Sequence, residues 1–311
     1  HTQASAREIG AGEGDNVDEG KGVSITSRVQ SGVGWGGRTP AIQHSARPCP
    51  ACCRPSRYHH RMTQDLFRQD AYLRECSAHI TATADAGIVL DQTVFYPLGG
   101  GQAGDSGVLV LADGTQITIA DTRKGKDADG NTTSDIVHVP APGQVDRVAQ
   151  LTPGTAVTAR IDWERRHRMM RLHTTSHLLC HVVPQLVNGC SITPDYARLD
   201  FAMTDPLDKE QLTAAIATLV AAAHPLTVAS ISDEELDANP NLVKSMSVQP
   251  PRGTGRIRTI RIGGEGDAPL IDLQPCGGTH VANTAEIGAI VVTKIEKKSA
   301  TTRRVVLGFA P

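Results

Sequence analysis

The residue pattern of this chain changes period at Trp163, and that change limits the folds open to it more than any other feature. Upstream, from Cys76 to Asp162, short β-prone runs (HITATA, GIVLDQTVFY, GVLVLADGTQITIAD, DIVHV, TAVTARID) alternate with turn signals. Asp113-Gly114 between two of them marks a hairpin. Such a series predicts a small β-barrel, with GKDADGNTTSD at 125–135 as a polar loop inside it. Downstream, ERRHRMMRLHTTSHLLCHVVPQLV has apolar residues recurring at threes and fours, which predicts one helix that Pro184 kinks or ends. A second amphipathic helix over 208–223 follows, with strands at RIRTIRI, PLIDLQP, GAIVVTKIEKK and RRVVLGF. Helices mixed with strands after an all-β unit make the fold class α+β. The expected division is a β-barrel over 62–162 and an α/β region over 163–311.

The 311 residues suffice for about two domains of ordinary size. Residues 1–61 are rich in Gly, Ser, Arg and Pro, lack a sustained apolar period and do not begin with Met, so they read as a disordered leader or an extended gene start. Cys49, Cys52, Cys53, His59 and His60 lie in that segment, where no flanking strand or helix pattern would preorganise a metal site. No apolar run is long enough to span a bilayer, and no secretory h-region opens the chain. Seven cysteines, an odd number, fit a reducing compartment better than a disulfide framework, and the expected location is cytoplasmic. A net charge of −2 gives no general attraction to nucleic acid, so any such binding must come from local patches. The sequence leaves the oligomeric state undetermined.

Two short motifs carry chemistry. His173 and His177 are four apart on the predicted helix, so both rings leave the same face one turn apart and can clamp one ion. Alone, that spacing also describes an ordinary pair of packed or surface histidines. His181, one turn further, is too far from His173 to share the ion and reads as a packed histidine. The second motif, Pro275-Cys276-Gly277-Gly278-Thr279-His280, offers a thiolate and an imidazole four apart, with two glycines that let the backbone fold tightly between them. Together they make a His₃Cys set suited to one tetrahedral Zn2+ per chain. Thr174 stands where an H-E-x-x-H protease needs Glu, and Cys276-Gly-Gly-Thr departs from the P-C-x-x-C of nucleobase deaminases.

RLHTTSHLL at 171–179, DLQPCGGTHVANTAEIGAIVVTKIEKKSATTRRVVLGF at 272–309 and FYPLGGGQAGDSG at 95–107 resemble, in order, motifs of the alanyl-tRNA synthetase editing domain and its freestanding AlaX-type relatives. The resemblance runs from about Met62 to Phe309. It implies zinc ligands at His173, His177, Cys276 and His280. It also implies a zinc-containing editing domain after the barrel, and hydrolysis of the ester joining a wrong residue, mainly serine and sometimes glycine, to alanine tRNA. No stretch resembles the aminoacylation or anticodon modules, so the expected enzyme is an aminoacyl-tRNA deacylase acting in trans. The alternative is a non-catalytic tRNA-binding module with a structural zinc.

Zinc can acidify water or polarise the ester carbonyl, and the sequence does not choose between these roles. Asp272, four residues before Cys276, is a candidate partner for a ligating histidine or a solvated strand residue. Telling serine from alanine needs a polar group in the pocket. In the family resembled, a hydroxyl residue after the zinc helix does this; Thr193 is the nearest candidate and Ser191 competes. Gly99, Gly100, Gly101 and Gln102 are expected to meet the tRNA acceptor stem, through backbone amides and the Gln102 side chain. Arg166, Arg168 and Arg171, with Arg165, crowd the start of the zinc helix, and KIEKK with Arg303 and Arg304 forms a second basic cluster; both suit phosphate contacts.

Overall fold

Alternation along the upstream strands closes them into a ring. In the computed structural model, which describes residues 62–84, 87–250, 253, 255–264, 266 and 268–311, six strands form a closed barrel. These are β1 (Glu75–Ala84), β2 (Gly87–Leu90), β3 (Gly107–Leu111), β4 (Gln116–Lys126), β5 (Thr132–Pro140) and β6 (Ala156–Ile161), in the order β1-β2-β5-β4-β3-β6. Ile117 and Ile119 of β4 point inward while Gln116 and Thr118 face out, and they join Ile80, Ile88, Leu90, Phe95, Leu109 and Ala159 in the barrel core. The Asp113-Gly114 hairpin forms between β3 and β4: Gly114 takes a φ of 83° and the Asp113 carboxylate accepts from Thr115 N at 2.8 Å. The polar loop is shorter than expected, because β4 runs on to Lys126 and β5 starts at Thr132. The expectations for residues 1–61 lie outside the described residues.

Helix α1 (Trp163–Val182) starts where the period changes, capped by the Asp162 side chain, which accepts from Arg165 N. It ends at Val182, with Pro184 just beyond, so the proline stops the helix rather than kinking it. Burial covers nearly its whole circumference from Met169 to Cys180, not one stripe. A helix enclosed on all sides is a core element, and its polar residues are then held by partners rather than by water. His181, expected to pack, is exposed at the helix end.

After α1 come β7 (Val187–Ile192) and β8 (Tyr196–Ala202), helix α2 (Lys209–Ala221), β9 (Leu226–Ile231), α3 (Asp233–Ala238), β10 (Ile257–Gly263), β11 (Leu270–Pro275), β12 (Ile290–Ser299) and β13 (Thr302–Phe309). They make a four-stranded sheet, β12-β13-β8-β7, and a three-stranded one, β9-β10-β11. Helix α1 touches both, meeting β7 and β8 on one side and β11 on another. The β7–β8 hairpin was not read from the sequence, since Gly189, Ser191 and Pro194 look like loop residues. All described residues belong to one compact unit, and Trp163 packs against both the barrel core and the core around α1. No helix among the described residues is long and apolar enough to cross a membrane.

Candidate metal centre

Helix α1 carries His173 and His177 on adjacent turns, and β11 delivers the Pro275–His280 loop beside them. The ligand atoms of His173, His177, Cys276 and His280 all lie within 4.8 Å of one another. Cys276 Sγ is 3.5 Å from His173 Nε2 and 3.3 Å from His280 Nε2. A tetrahedral zinc with ordinary bond lengths would hold sulfur and nitrogen roughly 3.6 Å apart. The loop can close this tightly because Gly278 has no side chain: a Cβ there would lie 2.1 Å from His173 Cε1.

Each ring is oriented from behind. His173 Nδ1 donates to Gln102 Oε1 at 2.8 Å. His177 Nδ1 meets Asp272 Oδ2 at 2.7 Å, and His280 Nδ1 meets Thr174 Oγ1 at 3.2 Å. With Nδ1 engaged in all three, Nε2 is the nitrogen left for a metal. Asp272 is itself fixed: Gln274 Nε2 donates to its Oδ2 at 2.8 Å, and Lys244 closes on its Oδ1.

The charges follow from these contacts. Burial raises the cost of a Cys276 thiolate, but the facing His173 and His280 rings outweigh it and hold the thiol well below its ordinary value. The thiolate is the form that binds metal. Burial, helped by the like charge of His173, pushes His280 down to about 3, which keeps it neutral. Burial is the largest single influence on His177 and disfavours its charge, but the hydrogen bonds and negative charges of Asp272 and Cys276 together outweigh it and lift it to about 9. A thiolate, a neutral imidazole and nitrogens held by outer partners fit a soft-to-borderline divalent ion such as zinc.

Several expected tRNA contacts are committed elsewhere. Gln102 is fully buried: its Nε2 donates to Thr279 Oγ1 at 2.9 Å, and its Oε1 also accepts from Thr279 N at 3.1 Å. Its side chain therefore serves the metal loop, not the acceptor stem. Gly99, Gly100 and Gly101 form the turn that aims it, stitched to β7 through Ile192 N to Gly101 O at 2.8 Å and Ala103 N to Ile192 O at 2.9 Å. Gly101 has a φ of 85°, and a Cβ there would strike Cys190 Sγ at 2.3 Å.

Arg166 is also fully buried, paired with a buried Asp105 and donating to Val94 O at 2.7 Å and Ala71 O at 2.9 Å. It offers no surface to a phosphate. Arg165 reaches back to Gly104 O at 3.2 Å. Arg168 donates to Pro194 O at 2.8 Å and Arg171 to Ile287 O at 2.7 Å, both over the Phe309 ring, and both remain partly exposed. In the C-terminal cluster, Arg304 pairs with Asp200 at 2.7 Å and Arg303 is buried against the Ser299 and Thr302 carbonyls.

A cavity opens beside the metal cluster, lined by His173, Ser176, His177 and Cys276, by the apolar Val187, Ile192, Leu199 and Val243, and by Arg68, Lys244 and Arg258. Thr193 and Ser191 are not on its wall. The Thr193 hydroxyl holds the β7–β8 turn, donating to Tyr196 O at 3.1 Å and accepting from Asp195 N and Tyr196 N. The hydroxyl-bearing residues that line the cavity among the described residues are Ser176 and Ser245.

Comparison with known proteins fits this arrangement. The alanyl-tRNA editing protein AlaX-M of Saccharolobus solfataricus is 32% identical over 254 residues, which cover 80% of this chain and 100% of that protein. This chain belongs to the AlaX family of alanyl-tRNA editing proteins. The AlaX-M protein of Methanosarcina acetivorans agrees, at 31% over 252 residues, 78% of this chain and 97% of the relative. The alanine–tRNA ligase of Metallosphaera sedula is 34% identical over 244 residues, but these are 25% of its length. Residues 57–165 match the class II (A) tRNA synthetase family, and residues 257–306 match the threonyl and alanyl tRNA synthetase second additional domain. Of the clustered residues, Cys276 and His280 fall in the second match, while His173 and His177 lie between the two.

Proposed function

We propose that this chain is a zinc-dependent aminoacyl-tRNA deacylase that acts in trans on mischarged alanine tRNA, removing mainly serine and sometimes glycine. One zinc ion per chain is held by His173, His177, Cys276 and His280. The observation that carries the reading is the convergence of those four ligands, three of which (His173, His177 and Cys276) line a cavity, in a chain that matches freestanding AlaX-M relatives along essentially their whole length. End-to-end similarity to freestanding proteins, against a quarter of a ligase, favours action in trans. The four described cysteines are free thiols, which suits the cytoplasm.

When bound, zinc supplies positive charge that can polarise an ester carbonyl or acidify water. The chain's own residues supply position and exclusion. Asp272 and Gln102 fix the rings of His177 and His173, and Val187, Ile192, Leu199 and Val243 make a wall that sheds bulk water from the ester. Arg168 and Arg171, partly exposed at the head of α1, and the backbone of Gly99–Gly101 are the proposed tRNA contacts.

A complete set of four protein ligands is also what a structural zinc site has. It favours, as the second reading, a non-catalytic tRNA-binding module. Incubating the protein with seryl-tRNA for alanine separates the two: ester loss above the buffer rate, abolished by Cys276→Ala, supports the deacylase, and an ester that survives undiminished supports the binding module.

A further inference from the structure

Apart from the histidines and Cys276 of the metal cluster, the charged side chains that line the cavity among the described residues are Arg68, Lys244 and Arg258, all cations. Two are answered by carboxylates: Arg68 pairs with Asp65 and Lys244 with Asp272. Arg258 is not. Its Nη1 donates to Cys276 O at 2.6 Å and to Gly278 O at 3.1 Å, while its Nε is buried with no hydrogen-bond partner. Among the described residues it closes no ion pair. Arg68 stands close by: its Nη1 would lie 3.4 Å from a Cβ at Gly277, and its like charge acts on Arg258.

The hydrogen-bond partners of this half-buried guanidinium are neutral carbonyls. The nearby Cys276 thiolate that also acts on it is the one a bound metal would neutralise, so Arg258 keeps charge to offer an anion, for which charge-assisted hydrogen bonds are strong. Gly277, without a side chain, leaves the loop between the two arginines uncovered. An amino acid esterified to the terminal ribose of tRNA has its nearest anion one ribose away, at the 5′ phosphodiester of the same nucleotide.

We propose that Arg258, backed by Arg68, forms a subsite for the phosphate of the terminal nucleotide, so that the phosphate anchors at the loop whose Cys276 holds the metal. The identity of this ligand rests on the deacylase reading. The remaining wall is largely apolar, Val187, Ile192, Leu199, Val243 and Val248 among it, and offers a phosphate nothing comparable. Arg258 thereby has two tasks: it holds the Cys276 and Gly278 carbonyls, and it presents its remaining charge to the ligand.

The test compares equilibrium binding of the dinucleotide cytidylyl-(3′,5′)-adenosine with that of adenosine, on metal-loaded full-length protein. The wild type should prefer the dinucleotide by about tenfold or more. Arg258→Gln should erase most of that preference, and Arg258→Lys should keep part of it, because the charge remains while the fork is lost. Metal content is measured on every variant. Since Arg258 also holds the metal loop, Arg68→Gln is run in parallel and decides the matter if Arg258→Gln loses metal: a several-fold smaller preference there supports the subsite. Equal wild-type binding of dinucleotide and nucleoside, or full preference in metal-loaded Arg258→Gln, or in Arg68→Gln where it must decide, overturns it. Ester loss is read separately, so a preference for the dinucleotide in a protein that hydrolyses nothing would overturn the deacylase and leave the phosphate subsite standing.

Discussion

Gln102, in the glycine turn of the barrel, accepts a hydrogen bond from His173 Nδ1 at 2.8 Å across 71 residues of chain. The same amide holds both the N–H and the hydroxyl of Thr279, so one side chain joins the two halves of the ligand set. Partners of this kind commonly contribute 10- to 100-fold in metal affinity. Gln102→Ala should weaken zinc binding by about that factor in a chelator competition, with Gln102→Glu, which keeps the acceptor, intermediate. Unchanged affinity in Gln102→Ala would mean that the His173 ring is oriented without it.

Removing a ligand should do more. Wild-type protein is expected to hold about one zinc per chain, and Cys276→Ala or His177→Ala should lose most of it at chelator concentrations the wild type withstands. An ion that binds only the folded state stabilises it, so the midpoint of thermal unfolding should rise with added zinc in the wild type and respond weakly in either variant. Full zinc in both variants by metal analysis would refute the ligand set.

How much of this was legible in the sequence follows from distance along the chain. His173 and His177 share one helix turn, and Cys276 and His280 share one short loop, so each pair is a local pattern. Gln102 and Arg166 act through partners 71 and 61 residues away. A glutamine after three glycines and an arginine among four read equally well as solvent-facing groups, and only the fold decides otherwise. Lys244 and Arg258, which reach the cavity from outside both motifs, had no local signal at all. The β7–β8 hairpin hid behind turn-forming residues because β7 buries only Val187 and Ile192, too few to show an alternating pattern.

The buried pair of Asp105 and Arg166 ties the barrel to the head of α1. Both side chains are wholly buried, so removing one strands an uncompensated charge. Arg166→Met should cost on the order of 3–5 kcal/mol in denaturant unfolding, and pairing it with Asp105→Leu should recover part of that loss. A single variant as stable as the wild type would show that the pair contributes little.

His138 gives the barrel a pH response. It is buried between β2 and the Phe95 ring, with Nδ1 donating to Ile88 O at 3.0 Å and Nε2 bonded to Thr93 Oγ1 at 2.8 Å. Burial pushes it down to about 4, and the Ile88 bond only partly resists. The folded state therefore keeps the ring neutral while the unfolded chain takes a proton below about 6.5. Stability should be fully present above that pH and fall as pH drops from about 6.5 to 4, by about 3 kcal/mol over the whole window. Urea titrations at stepped pH should show that slope in the wild type and a flatter one in His138→Gln; identical slopes would assign the acid response to other groups.

Thr193 separates turn-holding from substrate reading. Its hydroxyl already accepts from two backbone amides and donates to Tyr196 O, and it stands off the cavity wall. Thr193→Val should cost about 1 kcal/mol of stability and leave the ratio of seryl to glycyl ester loss where it was. Ser176 differs in both respects. It lines the cavity one residue from His177, and its Oγ donates to Leu172 O at 2.9 Å, which leaves the lone pairs to accept from a serine hydroxyl. Ser176→Ala keeps the helix and removes that acceptor. On the deacylase reading it should slow seryl ester loss about tenfold or more, a loss of roughly 1–3 kcal/mol, with glycyl ester loss much less affected. Zinc content measured on the same sample guards against a disturbed His177. Equal slowing of both esters would make Ser176 a packing residue, and a ratio that moves in Thr193→Val instead would return the reading of serine to the hairpin turn.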